Sequence, residues 1–384
     1  MRILFTSYPA IGHFHPLAPL GLAARDAGHD VRVAIGPNLT EWVDRCGLDA
    51  YPVGVSAAEA FATARKRFPA EEWAAHMFTE VWVETALPGL RQLAETWPPD
   101  LVIHEEMDFA GLLLGRILDV PTVTHSWPSP ARSIEDWEFL AELLAPLWES
   151  QLRDGFASTT GDMYLDACPP PFQSDDIDAI PNVVAVRPVL FDGPSAKPPS
   201  WLTKLARPVA YVTLGTVPAF STPELLLTVV EALEPFLGSV VVTTGPNEVS
   251  ALGELPPSVH ATPYLPHSLV LPHVDLVVSH AGAGSTFGAL TNGLPHLALP
   301  QGASSQVAVA ERVHSLGAGL KLDAGEQTLE AMRAAARRLL DDGAFARRAK
   351  QLCAELEQSP TPAEILTLLE ERYGGDHVPT ASRS

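Results

Sequence analysis

Val274-Asp-Leu-Val-Val-Ser-His-Ala-Gly-Ala-Gly-Ser-Thr-Phe-Gly-Ala-Leu-Thr-Asn-Gly-Leu-Pro-His-Leu-Ala-Leu-Pro-Gln-Gly302 reads as a strand, a glycine-punctuated turn, a short helix and a second strand. Val274 to Ser279 is apolar and β-branched, the composition of a parallel strand covered on both faces. Gly282 and Gly284 allow a tight turn and a close backbone approach to a ligand. Ser285 or Thr286 is expected to cap the helix that follows, and Asn292-Gly293 to stop it. A helix opening from such a loop offers free N–H groups and the positive end of its dipole, which suits an anion. His280 stands at the lip, where its ring can donate to a phosphate oxygen. The cradle lacks a P-loop lysine, and turns of this kind also occur with nothing bound.

The rest of the composition bounds the setting. A chain of 384 residues can hold two domains with two cores, and 46% hydrophobic against 18% charged residues argues for folded structure. A formal charge of −21 excludes nucleic acid and anionic membrane surfaces as partners. An anionic substrate must therefore be met by local dipoles. Three widely spaced cysteines, Cys46, Cys168 and Cys353, without a CxxC pair, read as reduced thiols. Met1 to Ser7 lacks the apolar length of a signal peptide, and no run approaches a membrane span, so a cytoplasmic protein is expected.

Upstream, Ile3 to Ser7 reads as a strand, Gly12-His13-Phe14-His15-Pro16 as the turn after it, and Leu17 to Ala24 as a helix ending at Gly28. With the strand Val31 to Ile35 this makes a β–α–β unit, whose ligands bind beyond the carboxyl ends of the strands. Strands Asp100–His104 and Pro121–His125 deliver Glu105 and His125 to the same cleft. His104-Glu105-Glu106-Met107-Asp108 lacks the second histidine of HExxH, so no metal site is expected. Residues 55 to 97 are helical in character, and Trp73, Met77, Phe78 and Trp82 share a face. That stripe suits either a core or the wall of an apolar pocket. Four prolines between Val186 and Leu202 mark a semi-rigid linker. Strand–helix alternation then restarts at Val209, and helices are expected near 305–315, 327–341, 343–357 and 363–373. The tail after Gly374 reads as disordered.

The cradle, the Gly12-His13-x-x-Pro16 turn and their order resemble the nucleotide-sugar-dependent glycosyltransferases of the GT-B fold, most of all the bacterial enzymes that decorate antibiotics. The resemblance covers nearly the whole chain. It implies an α/β protein of two Rossmann-like, doubly wound domains facing a cleft. Residues 1–190 would bind the acceptor, 191–204 link, and 205–358 bind the nucleotide sugar. A helix in 359–374 would cross back to the first domain, and 375–384 would be a tail.

By the same resemblance His13 would deprotonate the acceptor hydroxyl, a task suited to an imidazole. Glu105 stands where relatives have the orienting Asp; it keeps the charge but adds a methylene, and Glu106 and Asp108 are nearby substitutes. Gly215, Thr216, His280, Gly282, Gly284, Ser285 and Thr286 would contact the donor diphosphate. Leu265, Pro266 and His267 would form the nucleobase shelf. Ser305 and Gln306 would meet the donor sugar where the family has Asp-Gln, and loss of that carboxylate favours a deoxysugar, dTDP-linked donor. Phe14, Trp73, Met77, Phe78, Trp82 and Trp127 would line the acceptor pocket. The implied reaction is an inverting, metal-independent hexosyl transfer without cofactor to a hydrophobic natural-product acceptor, the sole further partner being a second copy of the chain. An epimerase of the same fold and a catalytically silent nucleotide-sugar-binding partner are the alternatives.

Overall fold

The β-branched runs form two wholly parallel sheets in a computed structural model, which describes residues 1–130, 132–152, 158–217 and 220–374. The first contains β1 (Arg2–Thr6), β2 (Asp30–Ile35), β3 (Asp49–Pro52), β4 (Leu101–Glu105), β5 (Thr122–His125), β6 (Met163–Asp166) and β7 (Val183–Ala185). Their order is β3-β2-β1-β4-β5-β6-β7. The second contains β8 (Val209–Thr213), β9 (Ser239–Thr243), β10 (Val259–Thr262), β11 (Leu276–Ser279), β12 (His296–Ala298) and β13 (Gly319–Lys321), ordered β10-β9-β8-β11-β12-β13. Parallel crossovers place helices on both faces, and every residue of β4 and β8 is accordingly buried. In each sheet the strand order reverses once, between β1 and β4 and between β8 and β11. Such a reversal opens a crevice at the carboxyl ends of the strands, and the two crevices meet in one cavity.

The helix α1 spans Ile11–Asp26, so it begins earlier than the sequence suggested. Gly12 and His13 lie in its first turn rather than in a loop ahead of it. The expected helices after the cradle appear as Ser304–Ser315, Leu329–Asp341, Gly343–Leu356 and Pro362–Tyr373. The last is started by a capping box, Glu364 N–H donating to Thr361 Oγ1 at 3.3 Å and Thr361 N–H to Glu364 Oε2 at 2.7 Å. It buries Ile365, Leu366 and Leu369 in the same core as Leu17 and Leu20 of α1. Burial of each such side chain stabilises by about 1.5–3 kcal/mol, enough to hold the returning helix on the first sheet's domain.

The chain passes between the two sheets' domains twice, after β7 and again near Ser359. Arg187 joins the two passages. Its N–H donates to the carbonyl of Pro360 at 2.7 Å, its Nε to that of Ser359 at 3.0 Å, and its Nη2 to that of Glu357. The residues from 375 onward, read from the sequence as a disordered tail, lie outside the described residues.

Candidate active site

Beyond β1, the first turn of α1 carries His13 to the wall of a cavity of about 360 Å³ between the domains. Glu105 ends β4, next to β1 in the sheet, and its Oε2 lies 3.0 Å from His13 Nδ1. A carboxylate only accepts, so Nδ1 carries the hydrogen and Nε2 keeps its lone pair. The other oxygen, Oε1, accepts from Met107 N–H at 2.8 Å, which fixes the longer side chain in place. Glu105 is 1% exposed and His13 15%, so the acid is hidden and the imidazole presented. The nearby acids are occupied elsewhere. Asp108 caps the following helix at Gly111 N–H and accepts from Trp82 Nε1, while Glu106 pairs with Arg132 and Tyr164.

Facing His13 across the cavity is the loop after β11. Its helix runs Ala283–Thr291 and is capped by Gly282, not by Ser285 or Thr286. The left-handed residue is Ala281, φ 60°, and neither Gly282 nor Gly284 has positive φ. Gly282 serves instead to make room, since a Cβ there would stand 2.5 Å from the His280 ring. Gly215, φ +81°, leaves room on the other side, where a Cβ would come within 2.7 Å of the same ring. A Cβ on Gly284 would meet nothing within 4 Å, and this residue opens onto the cavity. His280, Thr216 and Ser285 also line it. Thr286 does not: it is fully buried, and its hydroxyl has no hydrogen-bond partner.

The shelf residues divide. Leu265 is core, Pro266 precedes the helix His267–Val270, and of the three only His267 lines the cavity. Sequence reasoning missed Asp192, whose carboxylate accepts from His267 N–H at 2.7 Å and Ser268 N–H at 2.9 Å. It also missed Tyr264, whose hydroxyl donates to the Asp192 carbonyl at 2.8 Å and whose ring meets Trp42 edge-on. Ser305 and Gln306 both reach the cavity, and Gln306 Oε1 accepts from Gln301 N–H at 2.8 Å.

The proposed acceptor wall is largely core. Phe14 and Trp82 are 1% exposed and Met77 8%, each packed within the first domain's clusters, and Trp73 packs edge-on against Phe61. A π-helical turn at Met77–Val81 interrupts the helix that carries this stripe, just before Trp82. Phe78 stacks on His13 at 5.5 Å, and Trp127, on the cavity wall, meets the same imidazole edge-on at 4.5 Å.

With that geometry in view, comparison with known proteins is decisive. Residues 65–215 match the N-terminal domain, and 227–372 the C-terminal domain, described as erythromycin biosynthesis protein CIII-like. The chain belongs to this CIII-like family of glycosyltransferases. It is similar to L-demethylnoviosyl transferase of Streptomyces niveus, 34% identical over 95% of this chain and 96% of the relative. It is also similar to aklavinone 7-beta-L-rhodosaminyltransferase of Streptomyces galilaeus, at 30% over 96% and 95%. The solved spinosyn rhamnosyltransferase SpnG matches with a TM-score of 0.83 and 28% identity, over 97% of this chain and 100% of that one. SpnG has also been solved with thymidine diphosphate and with spinosyn aglycone. The fold is therefore GT-B.

The CIII-like glycosyltransferase holds neutral imidazoles both on its cavity wall, at His15, His125 and His280, and in the core, at His104 and His296. Burial lowers His15, His104, His125 and His280 from 6.5 to about 4, and His296 to about 3. Their folded pKa values lie below the unfolded one, so unfolding takes up protons in acid. The stability they contribute is complete above pH 6.5 and is lost as pH falls through about 4. Burial raises Asp108 and Asp166 from 3.8 to about 6, and raises Glu106 as well, with the opposite sign: what these acids add is present at low pH and fades as pH rises. The imidazoles outnumber the acids. The melting temperature is therefore expected to fall as pH drops from about 6.5 to 4.5. Calorimetry across that interval checks this, and a rising Tm would contradict it.

Proposed function

We propose that this glycosyltransferase moves a deoxysugar from a dTDP-linked donor to a hydroxyl of a hydrophobic natural product, inverting the anomeric centre. The observation that carries the reading is the His13–Glu105 pair at 3.0 Å, set across one cavity from the β11 loop. His13 Nε2 takes the acceptor proton while the acceptor oxygen attacks the anomeric carbon from the face opposite the nucleotide. Glu105 steadies the imidazolium that forms. Charge building on the leaving diphosphate meets His280, the Ser285 hydroxyl and the first amides of Ala283–Thr291, which are electrostatic groups fixed in advance. Aromatic faces at Phe78 and Trp127 beside the base suit an apolar acceptor. The names of the relatives, sugar transferases acting on aklavinone and similar aglycones, support the same substrate class.

Ser305 replaces the family's carboxylate at the sugar, so a donor lacking hydroxyls leaves no buried charge unpaired. A thermal-shift titration with dTDP, UDP and GDP tests the nucleotide first. Binding to the folded state alone raises stability by about 2.7 kcal/mol at a hundredfold excess over Kd. A dTDP-selective shift, and turnover that survives excess chelator, are the expected outcomes; efficient turnover of UDP-glucose with poor use of dTDP-deoxysugars would overturn the donor assignment. Ser305→Asp is expected to shift kcat/KM toward hydroxylated donors by roughly tenfold, the worth of one charge-assisted hydrogen bond. Competition between two donors in one reaction measures it.

An epimerase becomes harder to set aside by the Trp73–Trp82 stripe, since most of that stripe is core. The positioned His13–Glu105 pair on the acceptor side still favours transfer over epimerisation and over a silent partner.

A further inference from the structure

The turn that aims His280 is held by groups that touch no substrate. Ala281 follows His280 with φ 60°, a conformation that costs free energy for any residue with a Cβ unless its surroundings impose it. Its N–H donates to Ser279 Oγ at 3.1 Å. That hydroxyl is in turn 2.8 Å from His296 Nε2. Ser279 closes β11 and His296 opens the neighbouring β12, and both are fully buried. The Ala281 methyl is 1% exposed, in the core with Phe172 and Phe287. Across the turn, the two glycines described above leave His280 a slot that admits no Cβ on either side. Ring and turn are thus positioned together.

We propose that Ser279 and His296 are positioning residues for donor binding: they fix the left-handed Ala281 turn, and so fix where His280 and the following amides meet the diphosphate. The inference rests on the donor-site reading above. The pair's hydrogen bonds run to the Ala281 turn and not to His13, so it acts on the donor and its leaving group and not on the proton transfer. A glycine at 281 adopts positive φ without help, which makes the role separable from ordinary core packing.

The test uses the full chain, with Kd for dTDP and UDP from titration calorimetry and KM for the donor from turnover. Ser279→Ala is expected to raise the nucleotide Kd and donor KM about tenfold and to lower kcat, because the same groups meet the leaving diphosphate, with acceptor KM within about twofold of the parent. Ser279→Thr, which retains the hydroxyl, is expected to bind like the parent. Adding Ala281→Gly to Ser279→Ala is expected to recover most of the lost affinity. Should Ser279→Ala fail to fold, His296→Ala with and without Ala281→Gly makes the same comparison. Unchanged affinity in folded Ser279→Ala, or no recovery on adding Ala281→Gly, overturns the proposal. A parent protein that binds neither nucleotide overturns the donor-site reading itself, and the two failures are therefore distinguishable.

Discussion

Replacing His13 with alanine is expected to lower kcat by about 10²–10⁴-fold while the Kd for dTDP stays within about twofold. The size follows from what is removed. The imidazole stands on the cavity wall with one nitrogen bonded to Glu105 at 3.0 Å and the other free for the acceptor hydroxyl. Without it the alcohol must attack while still protonated, or lose its proton to water. In the proposed arrangement the donor meets the opposite wall of the cavity, so its contacts are expected to survive. Glu105→Gln is the graded companion: an amide can hold the ring but cannot stabilise a cation, so the loss is expected to be smaller than for His13→Ala. Steady-state rates at saturating donor and acceptor, together with titration calorimetry, decide the matter. Activity within tenfold of the parent would remove His13 from the role of base.

Trp82→Ala is expected to destabilise the first domain by about 3–5 kcal/mol. The side chain is 1% exposed among Val53, Ala86 and Leu90, and its Nε1 donates at 2.8 Å to buried Asp108. The substitution leaves a cavity and also strips a carboxylate of a partner in a place without solvent, which adds to the cost. Urea unfolding followed by tryptophan-independent circular dichroism measures it. Phe78→Ala is the contrasting case, half-buried and stacked on His13, and is expected to change acceptor KM more than stability. If Trp82→Ala melted like the parent and changed only acceptor KM, the aromatic stripe would be a pocket wall after all.

Much of the architecture could be read from the chain because parallel strands covered on both faces announce themselves as β-branched runs. The placement of His13 and Glu105 was legible for the same reason: Glu105 ends one strand, and His13 follows another, that border the reversal in strand order. The aromatic stripe misled, because spacing along a helix gives the same pattern for a core and for a wall. Phe78 and Trp82 both pack on Tyr8, yet Phe78 also reaches His13 while Trp82 is enclosed in the core. In the loop after β11, glycine spacing pointed to Gly282 and Gly284 for the tight turn, whereas the left-handed φ falls on Ala281, where a buried hydrogen bond supports it. Asp192 was invisible for another reason. Its Pro-rich neighbourhood signals a connection between domains, but nothing in such a composition says that one of its carboxylates will reach the amides of His267 and Ser268.

Arg187 has a bearing on how such enzymes can be recombined. The polypeptide enters and leaves the second domain at adjoining points, and the arginine clasps them through main-chain carbonyls of Glu357, Ser359 and Pro360. Carbonyl partners are present whatever side chains surround them. Residues 187 to 357 thus join the rest of the chain through one clasped pair of passages, and a transplanted block brings that latch with it but must also match the packing of Phe287 on Phe172 and of Tyr264 on Trp42.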